Sequence, residues 1–323
     1  MEMKRKLTEY LRPAAAVSLG AVLLAASGCV KRELEIRPDE GYVEIALEWG
    51  GSGTSARSAR YLFYNESGSL AREVSGLTDG FRGTLPTGTY RLVVHNTDAE
   101  QVDWRGCERF ESAEVFALPA RYGTDHHPDE GVSCILEPRG IFATGGCNES
   151  ETVEVGQLDT TLLSVTPVRL TKRVAVRFVV ESSEEIRSLH GVLGGVSHGF
   201  FPGKGDLNTS SPCAVEFEAV PETKAASAAY TTEVSVFGLL TTSQSPAETN
   251  NVYVTLALTD GTQVTGTFDL TPALQRLIAA NGGVLPNEIP LEVTLRVQGI
   301  GLSATVEPWD ESGTGSGDPR PQV

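Results

Sequence analysis

The sequence predicts an all-β protein of two tandem β-sandwich domains, with one helix in the second domain. Many short segments alternate apolar and polar residues, which is the pattern of strands buried on one face. Turn signals rich in Gly, Asn, Asp and Pro separate these segments. Because the strands fall into two blocks and only one segment has helical periodicity, two sandwiches are the favoured architecture.

The first block, residues 41–165, is predicted to form the N-terminal sandwich. Residues 42–49 alternate so that every second side chain is apolar, which indicates a half-buried strand. Residues 119–131 are polar and predict a long exposed loop. Further strands are predicted over residues 61–64, 89–95, 113–118 and 132–136.

The second block, residues 166–310, is predicted to form the C-terminal sandwich. Its helix is expected to begin with Thr271 as N-cap and Pro272 in the first turn, to end at Gly282, and to act as a crossover. Glycines interrupt residues 188–200, which indicates bulges or a loop. Strands are predicted over residues 174–180, 215–220, 231–240, 252–258, 263–270, 289–297 and 302–309.

The N-terminal 28 residues are predicted to be a signal peptide. A basic start is followed by an apolar run over residues 14–26, which is shorter than the roughly 20 residues needed to span a bilayer. The small residues ending in Gly28-Cys29 are typical of a bacterial lipobox, in which Cys29 is acylated and becomes the new N-terminus. The alternative is an ordinary signal peptide or short anchor helix, with Cys29 incidental. Residues 29–40 are predicted to be a tether.

The charge balance limits the partners of the protein. The chain has 26 basic and 42 acidic residues, and removal of residues 1–28 changes its net charge from −16 to −18. Nucleic acid and anionic lipid headgroups repel such a chain, so we expect no nucleic-acid partner and membrane attachment only through the lipid on Cys29. Residues 311–323, rich in Gly, Ser, Pro and Asp, are predicted to be a disordered tail.

Once Cys29 is set aside, four cysteines remain, and an even number permits disulfides in an exported protein. We expect one bridge among Cys107, Cys134 and Cys147, whereas Cys213 lies in the other block. The alternative is that the thiols are reduced and buried.

No motif predicts catalysis or metal binding. His126 and His127 are adjacent on a predicted loop, and no Cys-x-x-Cys pair accompanies them, so a zinc site is disfavoured. The sequence lacks His-Glu-x-x-His, and residues 203–206 do not complete a Walker motif. We therefore expect a protein that is not an enzyme and that uses no cofactor and no metal.

One aromatic residue stands in a polar context. Trp104 is a candidate ligand contact, and the alternative is that it caps one end of a sandwich. The other aromatic residues considered lie in strand patterns, where burial is expected, namely Trp49, Tyr61, Phe63 and Tyr64.

Several segments together resemble a known family. The segments that carry the resemblance are the lipobox, the early strand ending in Trp49, residues 61–64, residues 85–90 followed by 94–97, and the closing residues 306–309. In these segments the chain looks like the fimbrillin-like lipoproteins of Bacteroidetes. That family includes anchor and minor subunits of type V fimbriae. The resemblance implies two transthyretin-like sandwiches, an outer-membrane lipid anchor, fimbrial subunits as partners, and a place at the base or accessory end of a surface filament.

The resemblance also implies assembly by β-strand addition between subunits. In the polymerising subunits the donor strand is C-terminal, whereas residues 313–323 here contain Pro319 and Pro321, which favours an anchor or terminator. Arg57 and Arg60 are candidate sites for the Arg-directed processing of such subunits. Two rival functions stay open, a glycan-binding lipoprotein of a polysaccharide-uptake system and a hydrolase or protease inhibitor built on a sandwich.

Overall fold

The structure, a computed structural model, describes most of the mature chain. The described residues are 37, 39–49, 56–128, 131–144, 151–222, 228–240 and 249–309. Within these ranges the protein is almost entirely strand with one α-helix, which confirms the predicted all-β class.

The strands of the first half of the chain are β1 (Glu40–Leu47), β2 (Ala59–Asn65), β3 (Leu70–Gly76), β4 (Gly80–Pro86), β5 (Gly88–Asn96), β6 (Val102–Arg105), β7 (Glu114–Ala117), β8 (Ser133–Ile135), β9 (Phe142–Ala143), β10 (Glu151–Val155), β11 (Thr160–Val165) and β12 (Val168–Arg169).

The elements of the second half are β13 (Lys172–Glu181), β14 (Ile186–Ser197), β15 (Gly199–Phe201), β16 (Asp206–Leu207), β17 (Pro212–Pro221), β18 (Ala228–Val236), β19 (Asn251–Leu258), β20 (Gln263–Asp269), α1 (Thr271–Ala280), β21 (Glu288–Gln298) and β22 (Gly301–Pro308).

The first sandwich packs a three-stranded sheet, in the order β11-β1-β4, on a sheet ordered β12-β9-β5-β2-β3, in which β10 also pairs with β5. Alternate residues of the strands point into the shared core, because side chains in a strand alternate between its two faces. Each fully buried apolar side chain favours folding by about 1.5–3 kcal/mol relative to exposure. The largest side chains of this core are those of Ile45, Tyr61, Phe63, Phe81, Leu85, Tyr90 and Leu92.

The second sandwich is formed by one long sheet ordered β20-β19-β14-β17-β18-β13-β21-β22, with β8 paired to β17. The sheet folds over at β17–β18, where only two residue pairs join the strands, and β20 at one end lies against β22 at the other. The helix α1 carries the chain from β20 to β21 and packs against β22, as a crossover should.

A hairpin of β6 and β7 links the two sandwiches. Residues Phe110 and Ala113, between its strands, pack on Leu62 and Val93 and so cover the outer face of β2 and β5. From β7, Val115 and the neighbouring Ala117 enter the core of the second sandwich, and β7 also pairs with β15. The division of the chain between residues 165 and 166 stays a prediction, since segments on both sides of it contribute to the second core.

One local prediction differs from the structure. The N-cap residue of α1 is Leu270 rather than Thr271, and its side chain makes no capping hydrogen bond. The Asp269 carboxylate accepts a hydrogen bond from the amide of Thr271, which is the first residue of the helix. Residues 188–200 contain the bulged strand β14, so the structure has the first of the two predicted alternatives, bulges or a loop. Gly195, with φ of +70°, forms the bulge, so the chain can kink without losing its cross-strand pairing. The helix ends as predicted, since Gly282 has φ of +70°.

Candidate functional site

In the part of the chain that the structure describes, the strand β11 leaves one side of its backbone free. The Tyr42 amide of β1 donates to the Asp159 carbonyl (2.8 Å), and the Glu48 amide donates to the Val165 carbonyl (2.9 Å). In a parallel pair, alternate residues bond to the same neighbour, so the odd-numbered residues of β11 pair with β1. The amides and carbonyls of the even-numbered residues, including Leu162, therefore point away from β1.

The free edge of β11 also differs chemically from the other sheet ends. Within the described ranges, it is the one strand standing at the end of a sheet order that has neither a charged residue nor a proline. Charges and prolines are the usual means of preventing strand addition to an edge. The Leu162 side chain is 71% exposed on the outer face of this edge, and Leu158, just before the strand, is 61% exposed. This arrangement can accept a partner's strand.

The candidate ligand contact Trp104 lies on β6 at the junction of the two sandwiches. Its indole is half-buried and stacks on the His95 ring, with centroids 4.0 Å apart and planes at 22°. It also packs against the second core. This position agrees with the alternative interpretation, in which Trp104 caps one end of a sandwich. Its role as a ligand contact stays a prediction.

A pocket of about 430 Å³ lies beside Trp104, but its polar groups already have internal partners. The Asn96 amide nitrogen donates to the Gly140 carbonyl (2.7 Å) and to Asp98. Arg105 pairs with Glu114 at 2.6 Å. Few of the lining groups are therefore free to bind a ligand.

His95, which lies beneath Trp104, is 1% exposed. Its Nδ1 is 2.8 Å from the Asn96 carbonyl, and since a carbonyl only accepts, Nδ1–H is the donor. Burial, assisted by the nearby Arg60 and opposed by the hydrogen bond to the Asn96 carbonyl, lowers the pKa of His95 to about 4, so the ring is neutral at pH 7. Nε2 is then a buried acceptor without a partner in the described part of the chain.

The loop with His126 and His127 is less exposed than predicted, because it folds onto the outer face of the second sandwich. The amides of Gly123 and Thr124 donate to Glu216 Oε1 at 2.8 and 3.1 Å. His126 Nε2 is 3.1 Å from the Gly266 carbonyl, and His127 stacks on Tyr122. Among the described residues, no group of His, Cys, Asp or Glu side chains is arranged to hold a metal ion.

The cysteines described by the structure are free thiols. Cys134 is paired in register with Ala214, and Cys213 with Ser133, so the two thiols lie on opposite faces of their sheet. Burial raises the pKa of Cys213 to about 11 and also raises the pKa of Cys107 and Cys134, which keeps all three protonated at pH 7. Cys147 lies outside the described residues, so a bridge that involves it stays a prediction.

Other predicted sites have unequal outcomes. Cys29, the predicted acylation site, lies outside the described residues. Arg60 lies inside β2, paired with both β3 and β5, whereas Arg57 precedes the strand and its amide donates to Asp98 at 3.0 Å. An Arg-directed protease would therefore reach Arg57 more easily than Arg60 in the folded protein. In the described ranges, no helix combines the length and the apolar character that crossing a bilayer requires.

The sequence comparison defines the family. Residues 28–218 match the family model described as Domain of unknown function (DUF5119), which covers more than half of the chain. The chain therefore belongs to this family. No curated protein sequence matches it.

Solved structures share its fold. A candidate adhesin from Bacteroides ovatus ATCC 8483 aligns with a TM-score of 0.54 at 19% identity, over 77% of this chain and 89% of that chain. Candidate polysaccharide-binding proteins (DUF1812) from Bacteroides thetaiotaomicron align at 0.52 and 11% identity, over 84% and 99%. The fimbrial anchor protein Mfa2 from Porphyromonas gingivalis aligns at 0.50 and 10% identity, over 84% and 98%. In fold, the chain is similar to Bacteroidetes fimbrial and adhesin-class proteins, which confirms the resemblance seen in its sequence.

The amino-acid sequence did not indicate that β11 has a free edge. The available signal was a run of six residues, Thr160–Val165, without charge, glycine or proline directly after a turn. That signal predicts a strand, but only the pairing of strands reveals that this one stands at an edge.

We expect Trp104→Ala to lower the free energy of unfolding by about 2 kcal/mol, because it removes half-buried packing between two cores. Trp104→Phe, the control, keeps an aromatic ring against His95 and should lose less than about 1 kcal/mol. Urea unfolding of the purified variants measures both values. An unchanged midpoint for Trp104→Ala would mean that the indole does not support the fold.

His95 predicts a stability loss in mild acid. Its pKa in the folded protein is below the ordinary value of 6.5, so as the pH falls the unfolded state binds the proton first. The full stability is present above about pH 6.5, and the loss should reach about 2 kcal/mol by pH 5. His95→Phe keeps a ring beside Trp104 and cannot titrate. Urea unfolding at pH 7 and pH 5 should therefore show a smaller acid loss in the variant, and equal losses would contradict the prediction.

Proposed function

We propose that this protein is a lipid-anchored cell-surface structural and adhesion protein, an anchor or accessory subunit of a type V-like fimbria, located at the outer membrane. The observation that carries the proposal is the free, uncharged edge of β11 with its exposed Leu162. The fold shared with a fimbrial anchor protein and a candidate adhesin supports the same function. The proposal includes no catalytic step.

In this function, the edge of β11 is the acceptor for a partner's strand. The outward amides and carbonyls of Thr160, Leu162 and Ser164 offer hydrogen bonds at every second residue, the spacing that an added strand matches. The Leu162 side chain gains an apolar neighbour on the added strand, which contributes about 0.2–1 kcal/mol as a cross-strand pair. Affinity then comes mainly from the main chain, and the side chains fix the register.

The lipid on Cys29 would hold the protein at the membrane. A mature chain with a net charge of −18 is repelled by anionic headgroups, so its own surface cannot supply the attachment. Because the tether is followed at once by β1, which pairs directly with β11, the acceptor edge belongs to the same three-stranded sheet as the anchored end of the chain.

We expect Leu162→Lys to weaken strand addition, since a charged side chain on an edge strand disfavours a new neighbour. Leu162→Pro, a second variant, removes an amide that points to the free edge and leaves the bonds to β1 intact. The measurement is the fraction of filament protein shed into the medium by a deletion strain complemented with each variant. We expect shedding to rise several-fold for both.

The matched control for this experiment is Leu77→Lys, because Leu77 is also 71% exposed in the first sandwich but lies outside every strand. It should retain filaments like the unaltered protein. If the deletion strain itself keeps normal filaments, the fimbrial function is wrong. If deletion sheds filaments while the Leu162 variants do not, only the assignment of β11 is wrong.

Cys29→Ala should move the protein from the membrane fraction to the soluble fraction, because the variant has no thiol to acylate. Cys107→Ala removes a thiol that is half-buried and free, and it should stay in the membrane fraction. Fractionation followed by mass measurement of the N-terminal peptide checks both the location and the acyl group. Retention of Cys29→Ala in the membrane would refute the lipid anchor.

A further inference from the structure

A trough on the outer face of the second sandwich points to a function beyond filament attachment. Its volume is about 750 Å³, within the range of small-molecule and oligosaccharide sites. We propose that this trough binds a neutral, hydroxyl-rich saccharide. The trough belongs to a different sheet from the acceptor edge of β11, so the two surfaces are able to act independently.

The floor of the trough is a row of polar side chains in lateral register. Cross-strand pairing aligns Glu218 of β17, His190 of β14, Thr255 of β19 and Thr265 of β20. Neighbouring strands are about 4.8 Å apart, so the row is about 14 Å long. Paired residues point to the same side of a sheet, and this row points outward while Leu189 beside His190 enters the core. A chain of several sugar rings fits along such a row.

One wall of the trough is the loop that carries Gly123, Thr124 and His126. Glu216 holds the loop through the two backbone amides described above, and His126 packs edge-to-face on Tyr253 with centroids 5.6 Å apart. A long loop tied to the sheet by a carboxylate and an aromatic contact is preorganised, which reduces the entropy that ligand binding would cost.

The floor groups are available to a ligand. In the described part of the chain, no internal hydrogen bond or ion pair occupies the side chains of His190, Glu218, Thr255, Gln263 or Thr265. This contrasts with the pocket beside Trp104, whose amide and guanidinium groups are already paired. The free set combines acceptors with groups that both donate and accept, which is what sugar hydroxyls require, since each hydroxyl does both.

The charges of the trough define the class of saccharide. Three carboxylates line it, from Asp125, Glu216 and Glu218, and no lysine or arginine lines it among the described residues. Uronic acids, sulfated sugars and nucleic acid would be repelled. Phe217 is the one large apolar side chain among the residues that line the trough in the described part of the chain, so a peptide would find few pockets for its apolar side chains, which normally supply much of the binding energy. A neutral saccharide has no charge for the carboxylates to repel, and its hydroxyl groups need no apolar pockets.

The test uses the full chain purified in mild detergent, run on native gels containing a neutral polysaccharide, with amylose, a β-glucan, a mannan and an arabinan as separate probes. Polygalacturonate and heparin serve as acidic probes, and polylysine serves as a basic polypeptide probe. We expect retardation by at least one neutral polysaccharide and by none of the charged probes. Titration calorimetry with oligosaccharides of the retarding polymer then gives the dissociation constant.

The variants His190→Ala and Glu218→Ala should each weaken binding at least fivefold, and the double variant should abolish retardation. Glu307→Ala is the matched control, because Glu307 is also an exposed glutamate on an outer strand of the same sandwich. It should bind like the unaltered protein. Circular dichroism confirms that each variant is folded.

Three results would overturn the proposal. The first is no retardation by any neutral polysaccharide. The second is retardation that His190→Ala and Glu218→Ala leave unchanged, which would place the saccharide elsewhere on the protein. The third is binding of acidic saccharides or polylysine only, which would mean that the carboxylates of the trough do not select the ligand as proposed.

Discussion

The buried carboxylate of Glu114 holds together the two halves of this protein. Glu114 lies on β7 and is 4% exposed, with Arg105 at 2.6 Å and Asn208 Nδ2 at 2.7 Å. A buried charge is tolerated only when its lone pairs are satisfied, so the two partners must stay in place. Because Arg105 belongs to β6 and Asn208 follows β16, the carboxylate ties the linking hairpin to the second sandwich.

Once the hairpin is fixed, it determines which surfaces remain open. Its residues cover the outer face of β2 and β5, where Leu62 and Tyr64 would otherwise face water. The stack of Trp104 on His95 completes that cover and explains why the pocket beside it has so few free polar groups. The opposite sheet of the first sandwich receives no such cover in the described ranges, so the edge of β11 stays available for a partner.

The second sandwich uses its outer faces in two different ways. On β13 and its neighbours, Arg177 pairs with Glu222 and Glu292, at 3.0 and 2.7 Å, so these charged side chains of that face are engaged with one another. On β14 and its neighbours, the side chains on the floor of the trough have no such partners among the residues that the structure describes. Paired charges make a solvated face that is inert toward ligands, whereas unpaired donors and acceptors form a binding surface. With the proposed lipid anchor, a strand edge on one domain and such a surface on the other would let the protein attach a filament and contact its surroundings separately.

Several features were determined by the sequence alone. Alternation in residues 42–49 and 215–220 predicts strands because side chains in a strand alternate between its faces, and both strands are present. Gly282 predicts the end of the helix, since it readily adopts positive φ. Such features depend on residues that are only a few positions apart in the sequence, so a local pattern is sufficient to predict them.

Other features were decided only by the tertiary structure. The short run Thr160–Val165 has the same composition whether its strand lies in the centre of a sheet or at an edge, and only its pairing with β1 leaves one side free. Glu114 and Glu218 are both glutamates in strands that are otherwise mainly apolar. The structure buries Glu114 between the hairpin and the second sandwich, whereas Glu218 is exposed in the trough. The reason is physical: the role of a charged side chain or a backbone amide depends on which distant segment satisfies it, and that choice is made only when the sheets assemble.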